Sequence, residues 1–355
     1  MIFKSFQIDV RMKKRVNYYL IFSLLFVFSN ESLIAKIWRV NNAPGINADF
    51  NNLQTAHNSA NAGDTLYVEG TPSSYGGLTC TKRLSLFGPG YFLAENENTS
   101  AIKNHAHIDG ISFNEGSQGS LFCGFYVWQP TAIRVNNIQL KRNFYNGVVQ
   151  AFDKDSILIA QNYFNYLSAV IIYQDYPVIR NIRISNNIII GYLQLNNAKS
   201  ALVYNNLFQG SVQGTESFFV NNLFIETGNC NSSLVNSINQ NLFSNNIFCG
   251  TGVGSVNGNQ ANVDLSTVFL VAPTATKPQD VSTDGRWQLK VGSPAKAAGF
   301  GSTNEKPVDI GPFGGTDPYV LSGLPPIPSI YFFEHQPMGS NADPLDVRIK
   351  VISRN

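Results

Sequence analysis

The stretch that decides the fold lies between residues 140 and 250. It contains LKRNFYNG (140–147), IAQNYFN (159–165), ISNNIIIG (184–191), VYNNLFQG (203–210), FVNNLFIE (219–226) and FSNNIFCG (243–250). Each segment holds an Asn followed by two apolar or aromatic residues. Aligned on that Asn, they give Asn143, Asn162, Asn187, Asn206, Asn222 and Asn246, at steps of 19, 25, 19, 16 and 24 residues. Helical repeats keep a fixed period. A short constant element with spacers of free length reads instead as strands joined by loops. Val, Ile, Phe and Tyr dominate the element, and Gly or Asn close it. Parallel coils stacked in a solenoid fit this pattern, each coil adding one strand to each of two or three sheets. An Asn at the same place on every coil can take the left-handed backbone region. Its amide can then bond the Asn one coil above and below, satisfying buried polar groups without charge. Two residues on come Tyr145, Phe164, Ile189, Phe208, Phe224 and Phe248, spaced to form an interior stack.

The composition agrees. The 355 residues are 43% hydrophobic, which excludes a disordered chain. Only 14% are charged, against about 25% in an average soluble protein, which excludes a coiled coil. Asn is used 41 times, so amides stand where other proteins place charge. Met12 to Ala35 reads as a secretory signal peptide. Lys13, Lys14 and Arg15 precede the apolar run Tyr18 to Phe28, and Ser29, Ser32 and Ala35 follow it. The run is shorter than the ~20 residues of a spanning helix, so a membrane anchor is the lesser reading. Met12, directly before the basic cluster, is an alternative start. Loss of residues 1–35 turns the formal charge of +2 into −1. That balance points to neither nucleic acid nor an anionic membrane surface. A secreted, periplasmic or outer-surface location follows, with no transmembrane span in the mature chain. Cys80, Cys123, Cys230 and Cys249 show no metal-binding spacing, and disulfides and buried thiols are both open to them.

On the Asn positions and the aromatic stack, the chain resembles the right-handed parallel β-helices of the pectate-lyase-like superfamily, in an exported Bacteroidetes-type form. The segment NADFNNLQTAHNSANAGDTLYVEG (47–70) is similar to the opening of such proteins. Asp49 is placed to N-cap a helix carrying Phe50, Leu53, Ala56 and Ala60 on one face, which would cover the open end of the solenoid. WQLKVGSPAKAAG (287–299) and VDIGPFGG (308–315) resemble a last coil. The expected fold is therefore all-β. A signal peptide fills 1–35 and a right-handed parallel β-helix with an N-terminal capping helix fills 36–315. A Pro-rich exit follows at 316–331, then a C-terminal β-hairpin or end-cap at 332–355, packed on the helix end.

Chemistry is harder to place. From Asn187 to Val263 the charged residues are Lys199, Glu216 and Glu226 alone. Earlier coils carry Lys141, Arg142, Asp153, Asp155, Asp175, Arg180 and Arg183. Coils stack about 4.8 Å apart, so these residues can form one patch. A polyuronate lyase would use such carboxylates to hold Ca²⁺ and a basic residue to remove a proton. A glycoside hydrolase would need two carboxyl groups ~5–9 Å apart, drawn from Asp153, Asp155 and Asp175. The catalytic motifs of the resembled superfamily are not found: there is no Asp-Asp pair, no Gly-His-Gly, and YPVIRNIR (176–183) does not match the lyase arginine pattern. His105, His107 and Asp109 alternate as a three-ligand zinc set would, although a wet loop explains them as well and no metal is expected. His57 is expected at the surface. Tyr75, Tyr126, Trp128, Tyr173 and Tyr176 are candidates for stacking on sugar rings.

The leading expectation is an exported β-helix that binds or organises polysaccharide or glycan at the cell surface. A divergent polyuronate lyase, requiring its acids and bases within ~10 Å on one face, is the alternative. A third is an adhesin or spike-like subunit, which requires an apolar outer patch.

Overall fold

The computed structural model describes residues 35–165, 169–179, 181–225, 230, 235–236, 240–340 and 344–353. Three parallel sheets, of ten, eight and eight strands among these residues, wind into a β-solenoid. A typical coil runs through Gln139–Lys141 in the first sheet, Phe144–Tyr145 in the second and Val149–Phe152 in the third, then returns to the first at Ile157–Ala160. Strands pair in register with the coils above and below, as Leu140 does with Phe122 and Ile159. Alternate residues of the first sheet point inward, so Leu86, Phe122, Leu140, Ile159, Ile184, Val203 and Phe219 are fully buried.

The aligned asparagines line the corner between the first and second sheets. The backbone N–H and Nδ2 of Asn143 both donate to Oδ1 of Asn162, and the same pairing links Asn162 to Asn187, Asn187 to Asn206, Asn206 to Asn222 and Asn222 to Asn246. The column ends on Asn259, which accepts from Asn246 in the same way. The left-handed residue is not this Asn but the one before it: Arg142, Gln161, Asn186, Asn205, Asn221 and Asn245 all have φ between 52° and 59°. The reason is steric. One residue must turn the chain with its side chain outside, so that the next can aim its amide inward. Behind the corner Tyr145 stacks on Phe164 at 4.9 Å, and Phe224 on Phe248 at 4.7 Å.

Each second-sheet strand is two residues long, and from Phe144–Tyr145 onward both residues are buried. The first of each pair faces outward. Phe144, Tyr163, Ile188, Leu207, Leu223 and Ile247 therefore make a second apolar face, and residues 263–324 cover it as a strap. This corrects the expectation for 287–315. Trp287, Ala295 and Ile310 are buried in that outer cluster, on the flank of the coils. The left-handed column fixes the strap: Asn245 Nδ2 donates to Ala298 O, Asn205 Nδ2 to Asp309 O, Asn186 Nδ2 to Pro312 O and Gln161 Nε2 to Pro318 O. Gly323 has φ +55°, and a Cβ there would meet the Tyr91 ring and the Arg142 carbonyl.

The short helix spans Leu53–Ser59, with Asn52 rather than Asp49 at its N-cap; Asp49 accepts the Arg39 N–H instead. Leu53 and Ala56 pack into the solenoid core, and Lys82 Nζ donates to the helix's terminal carbonyls of Asn58 and Ala60 at 2.7 Å each. At the other end Ser329–His335 and Val347–Ile352 pair antiparallel. This hairpin starts at Ser329, three residues before the expected Phe332. It is tied at its base by Ala101 N–H to Ile330 O, and Val347 to Val351 are exposed rather than packed. Cys230 and Cys249 form a disulfide, while Cys80 and Cys123 are buried thiols.

Candidate functional site

The charged residues do not gather. Lys141 and Arg142 lie at the corner of the first and second sheets. Lys141 Nζ pairs with Asp317 of the strap at 2.9 Å. Arg142 donates through Nε to Gln161 Oε1 and through Nη1 to Leu324 O, both at 2.8 Å. Asp153 and Asp155 lie at the opposite corner, where the third sheet turns into the first. Asp155 Oδ1 accepts the Asn181 N–H at 3.0 Å and so knits one turn to the next. Lys141 is in register with Ala160, five residues past Asp155, which is on the order of 15 Å along the strand. Arg183 is exposed on the outside of the first sheet, between Leu158 and Leu202. Asp175 and Tyr176 belong to the strand Ala169–Ile179, and their side chains, like Arg180, lie outside the described residues.

Two sequence candidates meet in a ring cluster. The outward column of the second sheet begins with His107 and Tyr126, then continues through Phe144. Phe144 onward lies under Tyr91, Phe92 and the strap; Tyr126, half-buried, packs against the edge of that cluster, and His107 comes before it. His105 stacks on Tyr126 at 4.3 Å, and Tyr126 is stacked with Trp128 at 6.3 Å. His107 meets Tyr126 edge-on at 5.5 Å. Trp128 is 47% exposed. Burial, with the neighbouring His107 second, holds His105 below the usual histidine range, so its ring is neutral at pH 7. The Nε2 of His107 is buried without a hydrogen-bond partner. Asp109 points elsewhere and accepts from Ser74 Oγ at 2.8 Å. Among the described residues no three His, Cys, Asp or Glu side chains converge as a metal site.

A second aromatic pair lies on the third sheet. Phe152 and Tyr173 are exposed and stacked at 5.5 Å and 5°. Beside them Gln150, Gln194 and Gln213 share one register row with Ile171, an uncharged face of amides and rings. Two other candidates are internal. Tyr75 is buried and donates to Glu69 O at 2.8 Å. His57 is buried on the inner side of its helix, accepting the Thr81 N–H at Nε2. Phe152, His105 and His107 were not assigned to a ring surface. The signal was present, since His107 and Tyr126 each stand one residue before an inward aliphatic, but only the coil register places them side by side.

The outside of the first sheet is unlike both. Leu202, Phe218 and Leu242 are in register and 39, 37 and 61% exposed, with Tyr204 and Val220 in the next row. No described helix is long and apolar enough to cross a membrane. Comparison of the chain with protein-family models, curated proteins and solved structures returns no match.

Proposed function

We propose that this is an exported β-solenoid that binds carbohydrate at the cell surface through the His105, His107, Tyr126 and Trp128 cluster. The observation that carries the reading is the ring group at the open end of an otherwise covered aromatic column. Flat rings suit the C–H faces of sugars, and edge nitrogens suit their hydroxyls. The uncharged amide face beside Phe152 and Tyr173 offers the same chemistry. The signal-like segment at Met12–Ala35 and the Cys230–Cys249 disulfide both fit an oxidising, extracytoplasmic space. The resemblance to right-handed, pectate-lyase-like β-helices supports the same class.

The Leu202, Phe218 and Leu242 row favours a second reading, a structural or adhesive subunit that self-assembles on its first sheet. Lyase chemistry has less support, because Lys141 and Arg142 stand at a different corner from Asp153 and Asp155. The test is a panel of neutral glycans and polyuronates, with and without Ca²⁺, read for binding, reducing ends and unsaturated-product absorbance. Binding that falls in a Trp128→Ala variant supports the carbohydrate reading. Absence of binding across the panel, with a concentration-dependent oligomer in sedimentation, supports the subunit.

A further inference from the structure

The hairpin of Ser329–His335 and Val347–Ile352 has two unlike faces. Residues directly opposite across the strands share a face. Ile330 stands opposite Val351, Phe333 opposite Ile349 and His335 opposite Val347, so these side chains lie on one side. Phe332 stands opposite Lys350, and Glu334 opposite Arg348, on the other. The register shifts between Ile330 and Phe332, and Tyr331 is the extra residue that keeps Ile330 in line with Phe333. The second face suits water: Glu334 and Arg348 have opposite charges, and Lys350 Nζ lies 5.1 Å from the centre of the Phe332 ring.

The first face is apolar and uncovered. Ile330, Phe333, Val347, Ile349 and Val351 are each between 43 and 61% exposed. It carries no carboxylate, ammonium or guanidinium, and His335 stands at its outer end. The ribbon is held at its base, where Ile330 O accepts the Ala101 N–H and Ser329 Oγ donates to Thr99 O. Beyond the base the second strand is exposed from Val347 to Val351. A two-stranded ribbon alone is marginal in water and is stabilised when its apolar face is buried.

We propose that this face is an interface with a second copy of the chain, two hairpins packing face to face about a two-fold axis at the Phe333–Ile349 pair. The register supplies the self-complementarity. One cross-strand pair stands on each side of Phe333–Ile349, so the axis lays Ile349 over Ile349 of the other copy and Val351 over Val347. The two bases then lie at opposite ends of the joint, which keeps the solenoids apart. Stacked sheets sit about 10 Å apart, a gap that side chains from both ribbons fill. Each half-exposed residue offers on the order of 100 Å², so the five give roughly 500 Å² per copy and 1,000 Å² for the pair. That is the lower bound of a specific interface and corresponds to a weak dimer, with a Kd on the order of micromolar. The contact uses neither the ring cluster nor the Leu202, Phe218 and Leu242 row, and so stands apart from both functional readings.

Sedimentation of the full chain, from nanomolar concentrations to about 100 μM, tests this. The wild type should pass from monomer to dimer. Ile349→Lys sets two ammonium groups against each other across the axis and should weaken the dimer at least about 100-fold. Lys350→Ala on the opposite face and Leu242→Lys on the first sheet should leave it unchanged. Mixing Ile349→Lys with Ile349→Glu pairs opposite charges and should restore a mixed dimer that neither forms alone, a recovery that an unfolded hairpin would not show. A wild type that stays monomeric at the highest concentration overturns the proposal. So does a dimer that survives Ile349→Lys, one that Leu242→Lys dissolves, or a mixture that stays monomeric. None of these variants touches Trp128, so glycan binding succeeds or fails independently of the dimer.

Discussion

Asn162 donates both its backbone N–H and its Nδ2 to the same atom, Oδ1 of Asn187, at 2.9 and 3.0 Å, although 25 residues separate them. The other Nδ2 hydrogen of each column Asn returns to a carbonyl inside the wall, as Asn187 Nδ2 does to Ile159 O. Asp would lose the donor, and Ser would fall short of the neighbouring coil. In Asn187→Ala, the Asn162 backbone N–H is left buried without its partner, the Asn162 Nδ2 keeps only the carbonyls of Leu140 and Ala160, and the Ile159 carbonyl loses the amide bond that supplements its strand pairing. With about 1–3 kcal/mol for the orphaned N–H and about 1 kcal/mol for each of the two other bonds lost, the loss should be roughly 3–5 kcal/mol, read as a fall in the denaturation midpoint. A loss below 1 kcal/mol would mean that water replaces the amide and the column is not structural.

The cysteines should divide into two classes. Cys230 and Cys249 close a loop of 19 residues, with Cα atoms 5.3 Å apart. Loop-closure entropy gives roughly 3 kcal/mol for a loop of that size, so reductant should lower Tm. Cys80 and Cys123 are buried, and burial pushes the Cys123 thiol up to about 12. Neither should react with a thiol reagent at pH 8 until the chain unfolds. Prompt labelling of two thiols in the native, non-reduced protein would contradict this burial.

How far the sequence carried this reading is plain at the corner. The six Asn positions were legible because each precedes an apolar pair. Asn259 was not, because Gln260 and Ala261 follow it. The left-handed residue was placed one position late, since Asn occupies both sites in Ser185-Asn186-Asn187 and only Arg142 and Gln161 break the ambiguity. The strap was missed for a physical reason that the sequence does contain. Pairs such as Phe144-Tyr145 and Leu207-Phe208 are apolar at both residues, and a strand with two apolar faces needs cover on both. The charged patch failed on register. Residues one coil apart are neighbours only at equal positions in the coil, and Lys141 and Asp155 occupy different corners.

Trp128→Ala should separate the binding surface from the fold. The side chain is half exposed and its ring contacts are with His107 and Tyr126, so the free energy of unfolding should stay within about 0.5 kcal/mol of the wild type. A lost stacking contact of about 0.5–1.5 kcal/mol corresponds to roughly a 2- to 10-fold weaker Kd for a bound glycan. Phe152→Ala should give a smaller or no change if the second-sheet cluster is the main site. A larger effect of Phe152→Ala would move the binding surface to the third sheet.

His57 should make the N-terminal end acid-sensitive. Its Nε2 accepts the Thr81 N–H at 3.0 Å, which fixes the remaining proton on Nδ1, 3.0 Å from Asn58 Oδ1. Protonation would set an N–H against an N–H and add a positive charge near Lys82. Burial first, and Lys82 in addition, hold His57 below its ordinary 6.5, despite the opposing Asn58 hydrogen bond. A depressed histidine contributes stability that is complete above about 6.5 and is lost as pH falls through the lowered value. Tm should therefore drop between pH 7.5 and 5 in the wild type. His57→Gln can accept the same N–H without titrating and should drop less. Comparing the two slopes cancels every other titrating group in the window. Equal slopes would show that Thr81 finds another acceptor when the ring is charged.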